Sequence, residues 1–157
     1  MALFGIGKSK VRPAAVVEMV EKLLQKHRLD PEAQAIDASE GTGWWLNKGA
    51  ALIYVFVIEE THSAHLRVTC PIVHFPHQKR EEFFLHLLEV NRDLSTCCLS
   101  AFQEVVMVTA QRPITGLQFE ELEYIINQVG GQAEKFEKSL SRQFGALPYR
   151  EDPHCAK

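Results

Sequence analysis

The stretch Lys79–Pro113, KREEFFLHLLEVNRDLSTCCLSAFQEVVMVTAQRP, decides the fold. It reads as one amphipathic helix followed by a β-hairpin. Over residues 80–92, Phe83, Phe84, Leu87, Leu88 and Val90 fall on a broad apolar face. A fully buried large apolar side chain is worth roughly 1.5–3 kcal/mol, so a face this dense has to be covered. Asn91 projects to the middle of that face. A buried amide must be hydrogen-bonded, and the expected partner is the backbone that follows. Residues 96–102 and 105–112 then read as two strands around the reversal Gln103-Glu104, with Pro113 as the stop.

C-terminal to this unit, Thr115-Gly116-Leu117-Gln118 matches a capping box, with Thr115 as cap and Gln118 reaching back. A helix to about Phe144 should follow, because Leu122, Ile125, Ile126, Val129, Ala133, Phe136 and Leu140 share one stripe. The stripe keeps its register through Gly130-Gly131, so one helix is expected, roughly 40 Å long at 1.5 Å per residue.

N-terminal to it, Pro13 opens a helix whose apolar stripe is Val16, Val17, Val20, Leu23 and Leu24, and Leu29-Asp30-Pro31 closes it. Ala33–Asp37 is weakly strand-like. A Gly-rich turn then leads into Trp44 and Trp45. Neighbours in a strand face opposite ways, so one tryptophan is expected in the core and the other is a candidate partner anchor. Ala50–Glu60 is the strongest strand, apolar on both faces: Ala51, Ile53, Val55 and Val57 on one, Leu52, Tyr54, Phe56 and Ile58 on the other. Such a strand is expected to be buried on both sides, with helices covering one and a second copy of the chain as a candidate for the other. His65–Ile72 alternates, with Leu66, Val68, Cys70 and Ile72 inward. The expected architecture is α+β in the order α-β-β-β-α-β-β-α. It forms one domain over residues 13–145, with a flexible lead (1–12) and a flexible tail (146–157).

The 157 residues carry a net charge of −3, with 46% hydrophobic and 24% charged residues. No Lys/Arg cluster is present to displace counterions, which argues against direct nucleic-acid or anionic-membrane binding. The longest apolar run, Ala50–Ile58, is far short of the ~20 residues that span a bilayer. MALFGIGKSK lacks the apolar core of a secretory signal, and a cytoplasmic location is the expectation. GIGKS at 5–9 imitates the end of a phosphate-binding loop, but Ala2 stands where a glycine is required and no strand precedes it. Cys70, Cys97, Cys98 and Cys155 form no CxxC pair and read as thiols of a reduced protein.

No catalytic constellation is visible. His74, His77, Glu59, Glu60 and Arg112 are scattered, with no recognisable spacing. His74 and His77 have a plausible chelate spacing, yet no Cys or carboxylate pair completes a known ligand pattern. No metal or cofactor is therefore assigned. A small-ligand or metal-sensing domain, resting on the histidines and on Trp44 and Trp45, is the alternative function.

The element order resembles the fold of type III secretion chaperones. The wording of LLEVNRDLSTCCLSAF (87–102), VVMVTAQRP (105–113) and LEYIINQVGGQAEKFEKSL (122–140) is similar to the YbjN-type family of sensory transduction regulators, which shares that fold. The resemblance covers residues 13–144. It implies a non-enzymatic, homodimeric module that binds another protein as a regulator, an adaptor or a chaperone. Carried over by position, dimer or partner contacts fall in the region of Phe83, Phe84, Leu87, Val105 and Met107. The chain is less acidic than secretion chaperones typically are, which favours a regulator or adaptor over a chaperone of secreted effectors.

Overall fold

A computed structural model describes residues 13–38 and 41–150. The lead, the end of the tail and Cys155 lie outside the described residues. Helix α1 (Pro13–Lys26) is followed by a single turn α2 (Pro31–Gln34) and a two-residue strand β1 (Ala35–Ile36). Strands β2 (Gly41–Lys48), β3 (Ala51–Glu59) and β4 (Ala64–His74) form a meander. Helix α3 (Arg80–Asp93), the hairpin β5 (Cys98–Phe102) and β6 (Val105–Pro113), and helix α4 (Phe119–Phe144) complete the chain. All strands join one antiparallel sheet in the order β1-β2-β3-β4-β6-β5.

Asp30-Pro31 both ends one helix and starts the next. The Asp30 carboxylate accepts from the Glu32 N–H, and Pro31 occupies the first turn, where its missing N–H is no loss. Side-chain alternation then sorts the sheet into two faces. Ile53, Val55, Val57, Leu66, Val68, Cys70, Val106 and Val108 are buried on one face. Val16, Val20, Leu23 and Leu24 of α1 and the apolar stripe of α4 pack over it. Gly130 lets α4 approach closely: a Cβ there would lie 3.1 Å from Lys48 Cδ and 3.2 Å from Ile53 Cδ1. The helix runs through Gly130-Gly131 without interruption.

The capping box at Thr115 does not form. Helix α4 begins at Phe119, and Gln118, its N-cap, makes no side-chain capping bond. Ile114 and Leu117 are buried, which holds this segment in a turn closed by the Leu117 N–H to the Ile114 carbonyl. Core burial of two apolar residues outweighs a cap worth about 1 kcal/mol. The segment from residue 146, expected to trail, begins docked. Ala146 is buried, the His74 N–H donates to the Leu147 carbonyl and the Tyr149 N–H to the Ile72 carbonyl, both at 2.8 Å.

Candidate protein-binding surface

Among the described residues, no helix packs over the other face of the sheet. Cross-strand pairing lays its residues out in rows, since directly opposed residues share a face. One row runs Trp45, Tyr54, Thr69, Thr109, Cys98 from β2 to β5. The next runs Gly43, Phe56, Arg67, Gln111. A shallow groove of about 1030 Å³ crosses this face, reaching from Ile36 and Asp37 to Phe102 and including Tyr54, Phe56 and Met107. Its floor is tied together by hydrogen bonds. The Thr69, Thr109 and Ser100 hydroxyls form a chain with both links at 2.9 Å, and Arg67 Nε donates to Gln111 Oε1 at 2.9 Å. The rings of Tyr54 and Phe56 stack, and Phe56 lies over Gly43.

Helix α3 flanks the β5 edge of this face. The clasp expected of Asn91 is present: its Nδ2 donates to the Leu99 carbonyl at 2.9 Å and its Oδ1 accepts from the Leu99 N–H at 2.7 Å. These bonds pair the outward N–H and carbonyl of Leu99 at the edge of β5 and fix the helix against it. Phe83 sits in an aromatic cluster with Phe75, Phe84 and Phe144, at centroid separations of 5.2–6.2 Å. His86 also packs on Phe144, so this side of α3 meets the end of α4. Phe84 turns toward Phe75 instead, 4.9 Å away, with Arg80 over both rings and paired to Glu104. That guanidinium holds the Glu104 carboxyl below its ordinary value.

The structure divides the residues singled out from the sequence. Phe83 is fully buried, Trp44 is 1% exposed and Leu87 is 8% exposed, so all three belong to the chain's own core. Trp45, Phe84, Val105 and Met107 are half-buried. Leu88, expected on the buried face of α3, is 69% exposed, and Leu85 is 58% exposed. Leu88 stands one turn from Phe84 on the same stripe, and a helix lying along a sheet edge has only a narrow side to bury. Phe102, at 65% exposure, ends β5 on the groove side. The sequence reading missed Leu85 and Phe102. The signal for Phe102 was its place before a two-residue reversal in which Gln103 and Glu104 both adopt positive φ.

The thiols follow the two faces. Cys70 is buried under α4, and desolvation pushes its pKa up to about 12. Cys97 is buried and raised by the same cause, whereas Cys98 is exposed in the groove. Of the expected metal candidates, His74 packs against Tyr149. Among the described residues, no group of three or more His, Cys, Asp or Glu side chains is placed to hold a metal ion. No described helix is long and apolar enough to cross a membrane.

Three solved structures share this fold. A chain of the ExsC–ExsE complex aligns with a TM-score of 0.64 at 14% identity, covering 88% of this chain and 98% of that one. The HopA1–SchA chaperone–effector complex gives 0.58 at 8% identity, covering 82% and 98%. The Yersinia pestis type III secretion chaperone SycH, solved with a fragment of YscM2, gives 0.52 at 10% identity, covering 76% and 97%. The fold is therefore that of type III secretion chaperones. No individually curated protein matches the sequence. The profile of the YbjN family, described as "putative bacterial sensory transduction regulator", matches residues 17–142, and the chain belongs to that family.

Proposed function

We propose that the chain is a non-enzymatic regulator or adaptor that works as a homodimer in the cytoplasm and binds another protein. The observation that carries this reading is the uncovered sheet face. Its groove of about 1030 Å³ is bordered by the exposed Phe102. Leu85 and Leu88 add exposed apolar surface on helix α3. A second copy is the proposed cover, with Phe84, Val105, Met107 and Trp45 at the margin of the contact. The fold supports a protein-binding role, since each of the three solved relatives comes from a complex with another protein. Catalysis finds no support in the placement of the candidates. Glu59 ends β3 and Glu60 follows it, His74 ends β4, and Arg112 is the next-to-last residue of β6. Arg112 is engaged with Glu121 and with the carbonyls of Pro113 and Thr115.

Sedimentation equilibrium at micromolar concentration tests the dimer. The wild type should sediment as a two-fold species, and Leu88→Arg combined with Phe102→Asp should yield a folded monomer. A wild-type protein that stays monomeric at every concentration would remove the claim.

A further inference from the structure

Helix α3 has a second stripe, on the side away from the core. Its buried residues are Phe83 and Leu87. Opposite them, at 3.6 residues per turn, fall Glu81, Leu85, Leu88 and Arg92. All four are exposed, Leu85 at 58% and Leu88 at 69%. They follow one another at intervals of four, three and four residues, the spacing that keeps side chains on one line where two helices meet. The charged ends of this line are not engaged across the fold. Among the described residues, Glu81 has no ion-pair partner. Arg92 reaches only its neighbour Asp93 at 3.3 Å, with both side chains mostly in water.

The line is a palindrome. Read forward it is acid, leucine, leucine, base; a copy running the other way presents base, leucine, leucine, acid. We infer that a second copy of the chain docks antiparallel on this stripe, with the two-fold axis crossing α3 between Leu85 and Leu88. Leu85 then packs on the partner's Leu88 and Leu88 on the partner's Leu85, a closed, self-complementary patch. Glu81 pairs with the partner's Arg92, and Arg92 with the partner's Glu81. A parallel copy would set acid against acid and base against base at the two ends, so charge selects the antiparallel register. Glu81 stands in the first turn and Arg92 in the last, where each also complements the helix dipole. The four residues are not those carried over from the chaperone fold, of which Phe83 and Leu87 are committed to the core. The inference rests on the homodimer reading and locates the two-fold axis that this reading leaves open.

The test is sedimentation of the full chain at low ionic strength. Glu81→Arg and Arg92→Glu should each weaken self-association by about tenfold or more, because two attractive pairs become two repulsive ones. Within one chain the two positions lie three turns apart, about 16 Å, too far to pair, so any rescue must act between chains. Mixing the two single variants should give a heterodimer, since every contact then joins opposite charges. The double variant Glu81→Arg, Arg92→Glu should self-associate again for the same reason. Both positions are exposed, and all variants should melt within a few degrees of the unmodified chain. If one does not, the salt dependence of the unmodified dimer decides: association should weaken severalfold between about 0.05 and 0.5 M salt as the end pairs are screened. Single variants that dimerise as well as the unmodified chain, a mixture that stays monomeric, or a salt-insensitive dimer would overturn the inference and leave the homodimer reading standing. An unmodified chain that is monomeric at every concentration would remove that reading itself.

Discussion

The two faces of one sheet have opposite fates. On β3 the covered residues Ile53, Val55 and Val57 alternate with Tyr54 and Phe56, which are half-buried on the open face. Among the described residues only one side receives helices: α1 and α4 both pack there, and α3 is held at the β5 edge by Asn91. The covered face is fixed by area removed from water. The open face keeps its order by other means: a hydroxyl chain, an Arg–Gln bond and a ring stacked over a glycine. A face of mixed aromatic and polar side chains tied together in this way is preorganised for a partner, since little further ordering is needed on binding.

Substitutions on the two sides should separate these roles. The largest effect is expected where α4 presses on the covered face. Leu122 is fully buried, and Leu122→Ala should cost about 2–5 kcal/mol in chemical denaturation, a lost transfer term plus a cavity term. A cost under about 1 kcal/mol would mean that this face is not the stability-determining one.

Next comes the hinge between the two regions. Asn91→Ala removes both bonds to Leu99 and leaves a backbone donor and acceptor unpaired at the β5 edge. The expected loss is about 1–3 kcal/mol, toward the lower end because Asn91 is half-buried and water can replace part of the pairing. Faster amide exchange at Leu99, without matching change at Val106, would show that the loss is local.

Smaller still is the effect of trimming the exposed apolar side chains of α3 and β5. Leu88→Ser and Phe102→Ser remove side chains that are mostly in water already, so stability at low protein concentration should change by no more than about 0.5 kcal/mol. Self-association should weaken in the same variants. If stability falls by several kcal/mol with no change in association, the open face is structural and the comparison between faces fails.

How much of this division was legible in the sequence depends on the kind of force involved. Periodicity revealed the strands, the α4 stripe and the two-sided character of β3, because burial leaves a repeating pattern. Asn91 was legible for a related reason, as an amide on an apolar face with few ways to be satisfied. The capping box at Thr115 misled because local propensity lost to the burial of Ile114 and Leu117. On α3, the apolar count was right and its allocation was not. Composition shows that Leu85, Leu88, Phe83 and Leu87 are apolar, but which of them faces the core is set by contacts distant in sequence, above all Phe83 on Phe144 at the end of α4. The docked segment from residue 146 was invisible, since a β-bridge made by two backbone bonds carries no side-chain signature.

The cysteines offer the least intrusive comparison, because each face of the sheet carries its own thiol. In a Cys155→Ser background, Cys98 on the open face should react with a thiol reagent at mildly alkaline pH, whereas Cys70 should react only through unfolding. Thiolate is the reactive form, and a pKa near 12 leaves Cys70 almost wholly protonated there. The sign of the linked pH dependence follows from desolvation. Folding favours the protonated thiol, so the Cys70 contribution to stability is intact below its unfolded value of 9.0. It is lost progressively as pH rises from there toward 12. Urea midpoints measured from pH 8 to 11 should fall more steeply for the Cys70 chain than for Cys70→Ala, after each is referenced to its own value at pH 8. If a second copy covers the groove, Cys98 labelling should slow as protein concentration rises while the Cys70 rate stays constant. A Cys98 rate independent of concentration across the dimerisation range would place the contact elsewhere.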